Sequence, residues 1–315
     1  MILGSDLTSV SIIIPVYNSE KTIGSLVGEL ISSLESKYKL EIILINDCSK
    51  DASGEICLDI FTKYKPLVKF LSLAKNVGEH NAVMAGLKHA AGDWVVIIDD
   101  DFQNSVNEVV KLISFGENSC YDAVYTYYDT KEHSFFRNCG SWFNDKAANL
   151  IFHKPKDLYL SSFKIISKFL VLEIVKYDSP YPYIDGIILR TTDNIGKIEV
   201  KHSQRKFGKS GYTLFKLILL WSNMFTNFSV MPLRIATFTG FIIATIGFIL
   251  GFLTIIEKIM NPTLPQGYTL IVVAISIFSG VQLIAVGMVG EYVGRILLSI
   301  NKQPQYTIKQ EHLPT

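Results

Sequence analysis

The sequence has few cysteines, and their spacing matches none of the common zinc sites. The 315 residues include four cysteines, none of which form a C-x-x-C pair or have a histidine close by in the chain. We therefore expect reduced and mostly buried thiols, as in a protein of the cytoplasm.

The sequence also lacks a large net charge, a signal peptide and a dinucleotide-binding glycine motif. The formal net charge is only +1, so the bulk electrostatics give no indication of a nucleic-acid partner. The N-terminal residues, MILGSDLTSV, have neither the charged region nor the long apolar stretch of a signal peptide, which predicts that the first domain stays in the cytoplasm. No G-x-G-x-x-G follows the first predicted strand, which disfavours a dinucleotide cofactor.

Short β-branched runs alternate with segments of helical spacing in the first hundred residues. The predicted strands are 10–15, 41–46, 68–73 and 94–98, and the predicted helices are 20–34, 53–64 and 79–90. This alternation predicts an α/β fold, in which a parallel sheet is covered by helices on both faces. Ligands of such sheets bind at the carboxyl ends of the strands, where the following polar residues are expected: Tyr17, Asn18, Asp47, Lys75, Asn76, Asp99, Asp100 and Asp101.

Apolar residues concentrate in the last third of the chain. Residues 235–256 contain no charged residue over 22 positions, and residues 259–290 contain none over 32 positions. Because a bilayer core requires about 20 apolar residues per helix, we predict a transmembrane hairpin within 232–294, with helices at about 235–256 and 269–290.

Charges that flank the hairpin predict its orientation. Arg234 precedes the first predicted span, and Arg295, Lys302 and Lys309 follow the second. By the positive-inside rule, both ends of the hairpin lie in the cytoplasm. We therefore expect a multi-pass protein of the bacterial inner membrane with a cytoplasmic catalytic domain at 1–211 and a cytoplasmic tail at 295–315.

The segment that joins these regions, 212–231, is rich in Leu, Phe and Trp and carries one cation and no acid. This composition predicts an interfacial helix that lies on the bilayer. An ordinary core helix is the alternative.

Three adjacent carboxylates, Asp99, Asp100 and Asp101, follow the fourth predicted strand. Such carboxylates repel one another unless a cation or strong hydrogen-bond donors compensate them. Alternation along an extended chain directs Asp99 and Asp101 to one side and Asp100 to the other. Hard oxygen ligands suit Mg²⁺ or Mn²⁺ bound to a diphosphate, so we predict a metal site here; a solvated loop is the alternative.

Two further groups of polar residues are candidates for substrate contacts. Asp47 follows the second strand, where it can accept hydrogen bonds from a base or ribose, or act as the N-cap of the next helix; both interpretations stay open. Five cations between Lys197 and Lys209 precede the interfacial segment. Among them, Arg205 and Lys209 are candidates to bind a phosphate through charge-assisted hydrogen bonds.

Taken together, these motifs resemble a known family. The motifs lie at residues 14–20 (IPVYNSE), 45–51 (INDCSKD), 99–103 (DDDFQ), 205–210 (RKFGKS) and 290–295 (GEYVGR). Their order is similar to that in the polyprenyl-phosphate glycosyltransferases of glycosyltransferase family 2. This family includes dolichyl-phosphate mannose synthase and bacterial undecaprenyl-phosphate sugar transferases, such as the 4-deoxy-4-formamido-L-arabinose transferase.

The resemblance implies a GT-A (Rossmann-like) catalytic domain that binds a nucleotide sugar, with a divalent metal and polyprenyl phosphate as further ligands. It implies a metal at Asp99, Asp101 and Gln103, with Asp101 central to catalysis. It also implies phosphate contacts at Arg205, Lys209 and Ser210. Contacts with the nucleotide sugar are implied for Pro15, Tyr17, Glu20, Asp47, Asn76, Asp99, Asp100 and Gln103.

The sequence departs from the family in its middle section. Many relatives have an acidic residue in a Gly-Asp-Phe-Arg-like motif, proposed as the catalytic base, whereas this chain reads Leu-Ser-Ser-Phe-Lys at 160–164. Ser162 stands where that acid would be, which leaves Asp157 as the candidate base.

The resemblance predicts transfer of a sugar, most simply from a UDP-sugar, to undecaprenyl phosphate by a single displacement with inversion. The product would supply sugar for glycans of the cell envelope, including lipopolysaccharide. Relatives with such a hairpin can assemble as tetramers, so a homo-oligomer is implied. A processive polysaccharide synthase is disfavoured because no Q-x-x-R-W motif is present; a catalytically degenerate membrane scaffold is the alternative.

Overall fold

The computed structural model describes residues 7–128, 158–201, 231–260, 267–301 and 304–314. The chain divides into two compact units. The first contains Met1–Thr213 together with Lys302–Thr315, and the second contains Leu214–Asn301.

The first unit begins with alternating strands and helices. The strands are β1 (Ser9–Val16), β2 (Lys39–Asn46), β3 (Val68–Leu73), β4 (Trp94–Ile97), β5 (Ala123–Tyr127), β6 (Lys164–Ser167), β7 (Ile195–Glu199) and β8 (Ile308–His312). The helices of this unit are α1 (Ile23–Leu34), α2 (Ser53–Lys63), α3 (Glu79–Leu87), α4 (Val106–Asn118), α5 (Lys168–Ile174) and α6 (Ile184–Thr191).

All eight strands form one sheet in the order β7-β5-β6-β4-β1-β2-β3-β8. Strands β1 to β4 are parallel to one another, whereas β6 runs antiparallel between β4 and β5. The predicted α/β fold with a parallel sheet is confirmed for this part of the chain. The four parallel strands bring the loops that follow them to one edge of the sheet, as expected for a ligand site.

The sheet is buried on both faces, which explains the continuous apolar runs of its central strands. In α1 the buried side chains recur at helical spacing, so one stripe of this helix packs on the sheet: Ile23, Leu26, Val27, Leu30, Ile31 and Leu34. On the other face, α3 lies so close to the sheet that a Cβ on Gly86 would be 2.7 Å from Ile13 Cγ2. The position of α3 therefore depends on this glycine.

The last strand, β8, was not predicted. It pairs antiparallel with β3 at the edge of the sheet, and the ring of His312 stacks on that of Phe70 at 5.7 Å. Gln305, just before β8, donates from Nε2 to the carbonyl oxygens of Tyr177 and Ser179, at 2.9 and 2.8 Å. Residues near the C-terminus are thus part of the first unit.

The second unit contains two long helices, α7 (Met231–Met260) and α8 (Tyr268–Ile300). They pack closely where a Cβ on Gly247 would lie 2.6 Å from Phe278 Cζ. Within the described residues, one segment, Phe278–Leu298, is long and apolar enough to cross a membrane, while the apolar part of α7, Ala236–Gly247, is shorter. Large apolar side chains of α8 are exposed in this structure, Leu283 by 72% for example. The interfacial helix predicted at 212–231 falls almost wholly outside the described residues.

We predict that Gln305→Ala destabilises the first unit. The substitution removes the two hydrogen bonds that Gln305 donates at a site where it is only 7% exposed, so the free energy of unfolding should fall by about 1–3 kcal/mol. Thermal unfolding in detergent measures this change. Gln310→Ala, an exposed position in β8, is the matched control and should change stability by less than about 0.5 kcal/mol.

Candidate active site

The loops at the carboxyl edge contain the backbone strain expected of a functional site. Asn18 follows β1, Cys48 follows β2 and Phe102 follows β4, and their φ angles are +55°, +56° and +63°. A left-handed conformation of a non-glycine residue costs on the order of 1–3 kcal/mol. Among the described residues, these three positions are the non-glycine residues with positive φ, and all lie at this edge.

Hydrogen bonds connect the end of β1 and the loop after it to β4 and to the acidic segment that follows β4. The carbonyl of Ile13 accepts a hydrogen bond from the Ile98 N–H at 3.1 Å, on the β4 side of the strand. Tyr17 N–H, four residues on, donates to Asp100 Oδ2 at 2.9 Å. Pro15, between them, has no N–H to donate. The loop after β1 is thereby connected to the acidic segment after β4.

Asp99 faces β6. The antiparallel register pairs Ile97 with Lys164, and its continuation places Asp99 opposite Ser162. Ser162 Oγ donates to Asp99 Oδ2 at 2.5 Å. Burial raises the pKa of Asp99 to about 7, assisted by the charges of Glu79 and Asp101 and opposed by the Ser162 hydrogen bond.

Asp100 and Asp101 have other partners. Asp100 Oδ2 accepts hydrogen bonds from Tyr17 N–H and from the Ser19 hydroxyl, and burial raises its pKa to about 6. Asp101 is 9% exposed, and its Oδ1 accepts a hydrogen bond from the Gln103 N–H at 3.1 Å. Asp99 and Asp100 thus contact different elements of the sheet edge.

The local charges fit a divalent cation. Glu79 reaches the surface, and partial desolvation among its neighbours raises its pKa; Asp185, Asp100 and Asp101 raise it further, against the effect of Lys164. Lys164 itself is paired with Asp185, so negative charge is in excess. Among the described residues, no three Asp, Glu, His or Cys side chains are arranged to hold a metal ion. The arrangement suits an ion that takes most of its ligands from diphosphate oxygens and water, as Mg²⁺ often does.

Asp47 holds the loop between β3 and α3. Its two carboxylate oxygens accept hydrogen bonds from the N–H groups of Val77 and Gly78, at 2.8 and 2.9 Å, and Asn76 Nδ2 donates to the Asp47 carbonyl at 3.2 Å. Burial raises the pKa of Asp47, while the two backbone hydrogen bonds lower it. Asp47 is not the N-cap of α2, whose N-cap position is Ala52. A contact of Asp47 with a nucleotide stays a prediction.

Glu20 connects the loops after β1 and β2. Its Oε2 accepts from Ala52 N–H at 3.1 Å, and its own N–H donates to Asp51 Oδ2 at 3.2 Å. The side chain of Asn18 accepts from Lys50 N–H at 2.8 Å. In the same loop, the Tyr17 side chain is 45% exposed, which leaves its ring accessible for a planar ligand such as a base.

A buried polar cluster beside Asp99 was missed by the sequence analysis. Lys164 forms an ion pair with Asp185 of α6, and the Tyr125 hydroxyl donates to the same carboxylate oxygen at 2.8 Å. Next to this pair, His80 packs edge-on against Tyr183 with ring centroids 5.1 Å apart. Sequence spacing gave no signal for the cluster, because its members come from four separate elements.

Several candidate residues fall outside the part of the chain that the structure describes. They are Asp157, Arg205, Lys209 and Ser210, and their roles stay predictions.

The fold and this edge define a class: an α/β domain with a largely parallel sheet and an acidic cluster after the fourth strand. The family model "Glycosyl transferase family 2" matches residues 11–171. The SfII prophage-derived bactoprenol glucosyl transferase of Shigella flexneri is 32% identical over 305 residues, covering 96% of this chain and 98% of the relative. The undecaprenyl-phosphate 4-deoxy-4-formamido-L-arabinose transferase of Proteus mirabilis is 30% identical over 316 residues, covering 96% and 94%.

Solved structures show the same fold. Glucosyl-3-phosphoglycerate synthase from Mycobacterium tuberculosis, in complex with Mn²⁺, UDP-glucose and phosphoglyceric acid, superimposes with a TM-score of 0.54. The match covers 70% of this chain and 78% of that chain at 17% identity. The chain belongs to glycosyltransferase family 2, and the family resemblance noted from its motifs is confirmed.

We predict that Asp99→Asn stabilises the substrate-free protein. The substitution removes a buried charge that Glu79 and Asp101 repel, while the Asn oxygen can still accept from Ser162. Above pH 7, where the Asp99 carboxyl is ionised, the gain should be about 1–2 kcal/mol, or roughly 2–6 °C in Tm, and it should shrink as the pH falls towards 4. Differential scanning fluorimetry measures the change.

Two comparisons test the reason for this gain. Asp59→Asn, at an exposed position of α2, is the control and should leave Tm within about 1 °C. UDP with Mn²⁺ should raise the Tm of the wild type and not that of Asp99→Asn. A lower Tm of the variant without ligands would contradict the charge repulsion.

His80 should make stability depend on pH. Burial lowers its pKa from 6.5 to about 4, with Asp185 opposing and Lys164 assisting. Between these two values the unfolded chain binds more protons, so stability is lost as the pH falls from about 6.5 to 4, by up to about 3 kcal/mol. Tm measured across this range should fall less steeply for His80→Gln; an unchanged slope would contradict the prediction.

Proposed function

We propose that this protein transfers a sugar from a nucleoside-diphosphate donor to undecaprenyl phosphate at the cytoplasmic face of the membrane. The observation that carries the proposal is the acidic segment Asp99–Asp101, held at the carboxyl edge of a family 2 sheet by Ser162, Tyr17 and Ser19. Full-length similarity to two enzymes named for bactoprenol and undecaprenyl phosphate supports this acceptor.

A UDP-sugar is the donor that we propose. Glucosyl-3-phosphoglycerate synthase, which shares the fold, was solved with UDP-glucose and Mn²⁺. In this chain the exposed Tyr17 ring and the loops connected by Glu20 and Asp51 border the same edge as the acidic segment. They are the surfaces that we assign to the nucleotide.

The two helices of the second unit are proposed to be a membrane hairpin with both ends in the cytoplasm. The close contact at Gly247 and Phe278 supports an antiparallel pair. The exposed apolar residues of α8 suit a lipid environment. Such an anchor would bring a lipid phosphate to the catalytic domain. A homo-oligomer, such as a tetramer, is part of the proposal.

Reaction by a single displacement with inversion agrees with the residues present. The acceptor is a phosphate monoester whose second pKa is near 6, so it is largely dianionic at pH 7 and needs no strong base. Ser162, in the place of the acid found in many relatives, donates a hydrogen bond to Asp99 and does not act as a base in this arrangement. Asp157 stays the proposed base where one is used.

Asp99, Asp101 and Gln103 are the residues that we propose to hold Mg²⁺ or Mn²⁺. When bound, such an ion neutralises charge on the leaving nucleoside diphosphate. Asp100 orients the loop after β1 through its hydrogen bonds with Tyr17 and Ser19. Correct positioning of donor and acceptor then supplies much of the rate enhancement.

The proposed function is tested with the purified full chain in detergent. It is incubated with undecaprenyl phosphate, Mn²⁺ or Mg²⁺ and a panel of nucleotide sugars, and lipid products are identified by mass. We expect one glycosylated lipid phosphate, lost on addition of EDTA. Asp101→Asn should reduce its formation at least about 100-fold, because a charged metal contact is removed.

The control for this experiment is Asp59→Asn, which lies away from the sheet edge and should keep wild-type activity. Absence of any lipid product with the whole panel would reject the transferase proposal and favour a catalytically degenerate scaffold. Near-normal turnover of Asp101→Asn would reject the metal role of that residue.

A further inference from the structure

The buried cluster beside Asp99 consists of Lys164, Asp185 and Tyr125, which are 3%, 7% and 0% exposed. Lys164 Nζ is bonded to Asp185 Oδ1 and lies 4.9 Å from the centre of the Tyr125 ring. The Tyr125 hydroxyl donates to the same carboxylate oxygen at 2.8 Å. The three side chains join β5, β6 and α6 at a point inside the fold.

Lys164 of this cluster lies two residues after Ser162, whose hydroxyl contacts Asp99 in the candidate active site. Ser162 lies in the bend that leads into β6. Lys164 is the first residue of β6 and is paired with Ile97 of β4. The same register, two residues further on, brings Ser162 to Asp99 at 2.5 Å.

The turn that carries Ser162 is also held from β5. Thr126 Oγ1 donates to the Phe163 carbonyl at 2.7 Å, and the Phe163 N–H donates to Ser161 Oγ at 3.2 Å. Phe163 is fully buried in the core on the opposite face. With Lys164 held on one face and Phe163 on the other, the position of Ser162 has little freedom.

Stability alone gives a poor account of a buried ion pair here. Removal of two charges from water costs several kcal/mol per ion, and apolar replacements of buried pairs are often neutral or stabilising. A positioning role explains the ion pair better, because a buried lysine can pair its charge at only a few points in a fold. In this fold that place is Asp185, which is itself fixed by Tyr125.

We propose that the Lys164–Asp185 pair, together with Tyr125, positions the start of β6 so that Ser162 holds the Asp99 carboxylate in its working orientation. These three residues are positioning residues, since they act on the reaction through Ser162 and Asp99. The expected effect on kcat rests on the proposed function. The expected effect on the start of β6 can be measured without any substrate.

A double-mutant cycle tests the proposal. Its corners are the wild type, Ser162→Ala, the charge-free variant Lys164→Met/Asp185→Asn and the combination of all three substitutions. Asn at position 185 keeps an acceptor for the Tyr125 hydroxyl. We expect kcat to fall about 10- to 100-fold in Ser162→Ala and in the charge-free variant, with the KM for the lipid acceptor unchanged.

The combined variant should be no slower than Ser162→Ala, because both changes act on one contact. Tyr125→Phe is a milder second variant, which removes the hydroxyl and keeps the ring. It should lower kcat by about 2- to 5-fold even if the charge-free variant folds poorly.

Hydrogen exchange followed by mass spectrometry supplies the readout that needs no substrate. Peptides covering 160–166 should exchange faster in the charge-free variant and in Tyr125→Phe than in the wild type. The matched control is Glu41→Gln/Lys69→Met, which removes a part-buried pair of 2.6 Å between β2 and β3. This control should leave kcat and the exchange of 160–166 unchanged.

Additive effects in the cycle, or unchanged exchange at 160–166 in both cluster variants, would overturn the proposal. Failure of the wild type to glycosylate any lipid phosphate would instead reject the proposed function. In that case the exchange experiment still decides whether the cluster positions the start of β6.

Discussion

Crowding of negative charge at the carboxyl edge of the sheet is the constraint on which the rest of the site depends. Asp99 and Asp100 are partly buried, and burial raises the pKa of both above that of an ordinary carboxyl group. The protein compensates this cost only in part, through Ser162, Ser19 and the N–H of Tyr17. A site with such an excess of negative charge favours cations, which agrees with the proposal that a nucleoside diphosphate binds there together with a divalent ion.

The loops around this edge are built for rigidity. Asp47 uses both carboxylate oxygens to hold the turn before α3. Glu20 joins two loops, because its carboxylate accepts from the Ala52 N–H and its own N–H donates to the Asp51 carboxylate. These hydrogen bonds help to maintain the left-handed backbone at Asn18 and Cys48. The sequence suggests Asp47 and Glu20 as ligand contacts. The structure shows that both also hold the loops at this edge in place.

Local patterns were enough to predict the parallel strands, because continuous β-branched runs indicate buried strands. They also predicted the acidic edge, because Asp99–Asp101 directly follow the fourth of these strands. They could not predict β8, since Ile308–His312 is a polar edge strand whose partner lies more than 230 residues earlier. They also missed Lys164, Asp185 and Tyr125. A lysine or an aspartate is expected at the surface unless it is paired, and the pairing exists only after β5, β6 and α6 have assembled.

The serine at position 162 links this buried cluster to the chemistry. An aspartate there would face Asp99 across an antiparallel register, and the two carboxylates would repel each other unless a proton or a cation lay between them. The serine removes that repulsion and gives Asp99 a donor instead. Because a phosphate dianion is already a competent nucleophile at neutral pH, loss of an acidic group at this point need not remove the reaction. In the proposed function Ser162 orients a carboxylate and transfers no proton, so its position is what the residues beneath it must maintain.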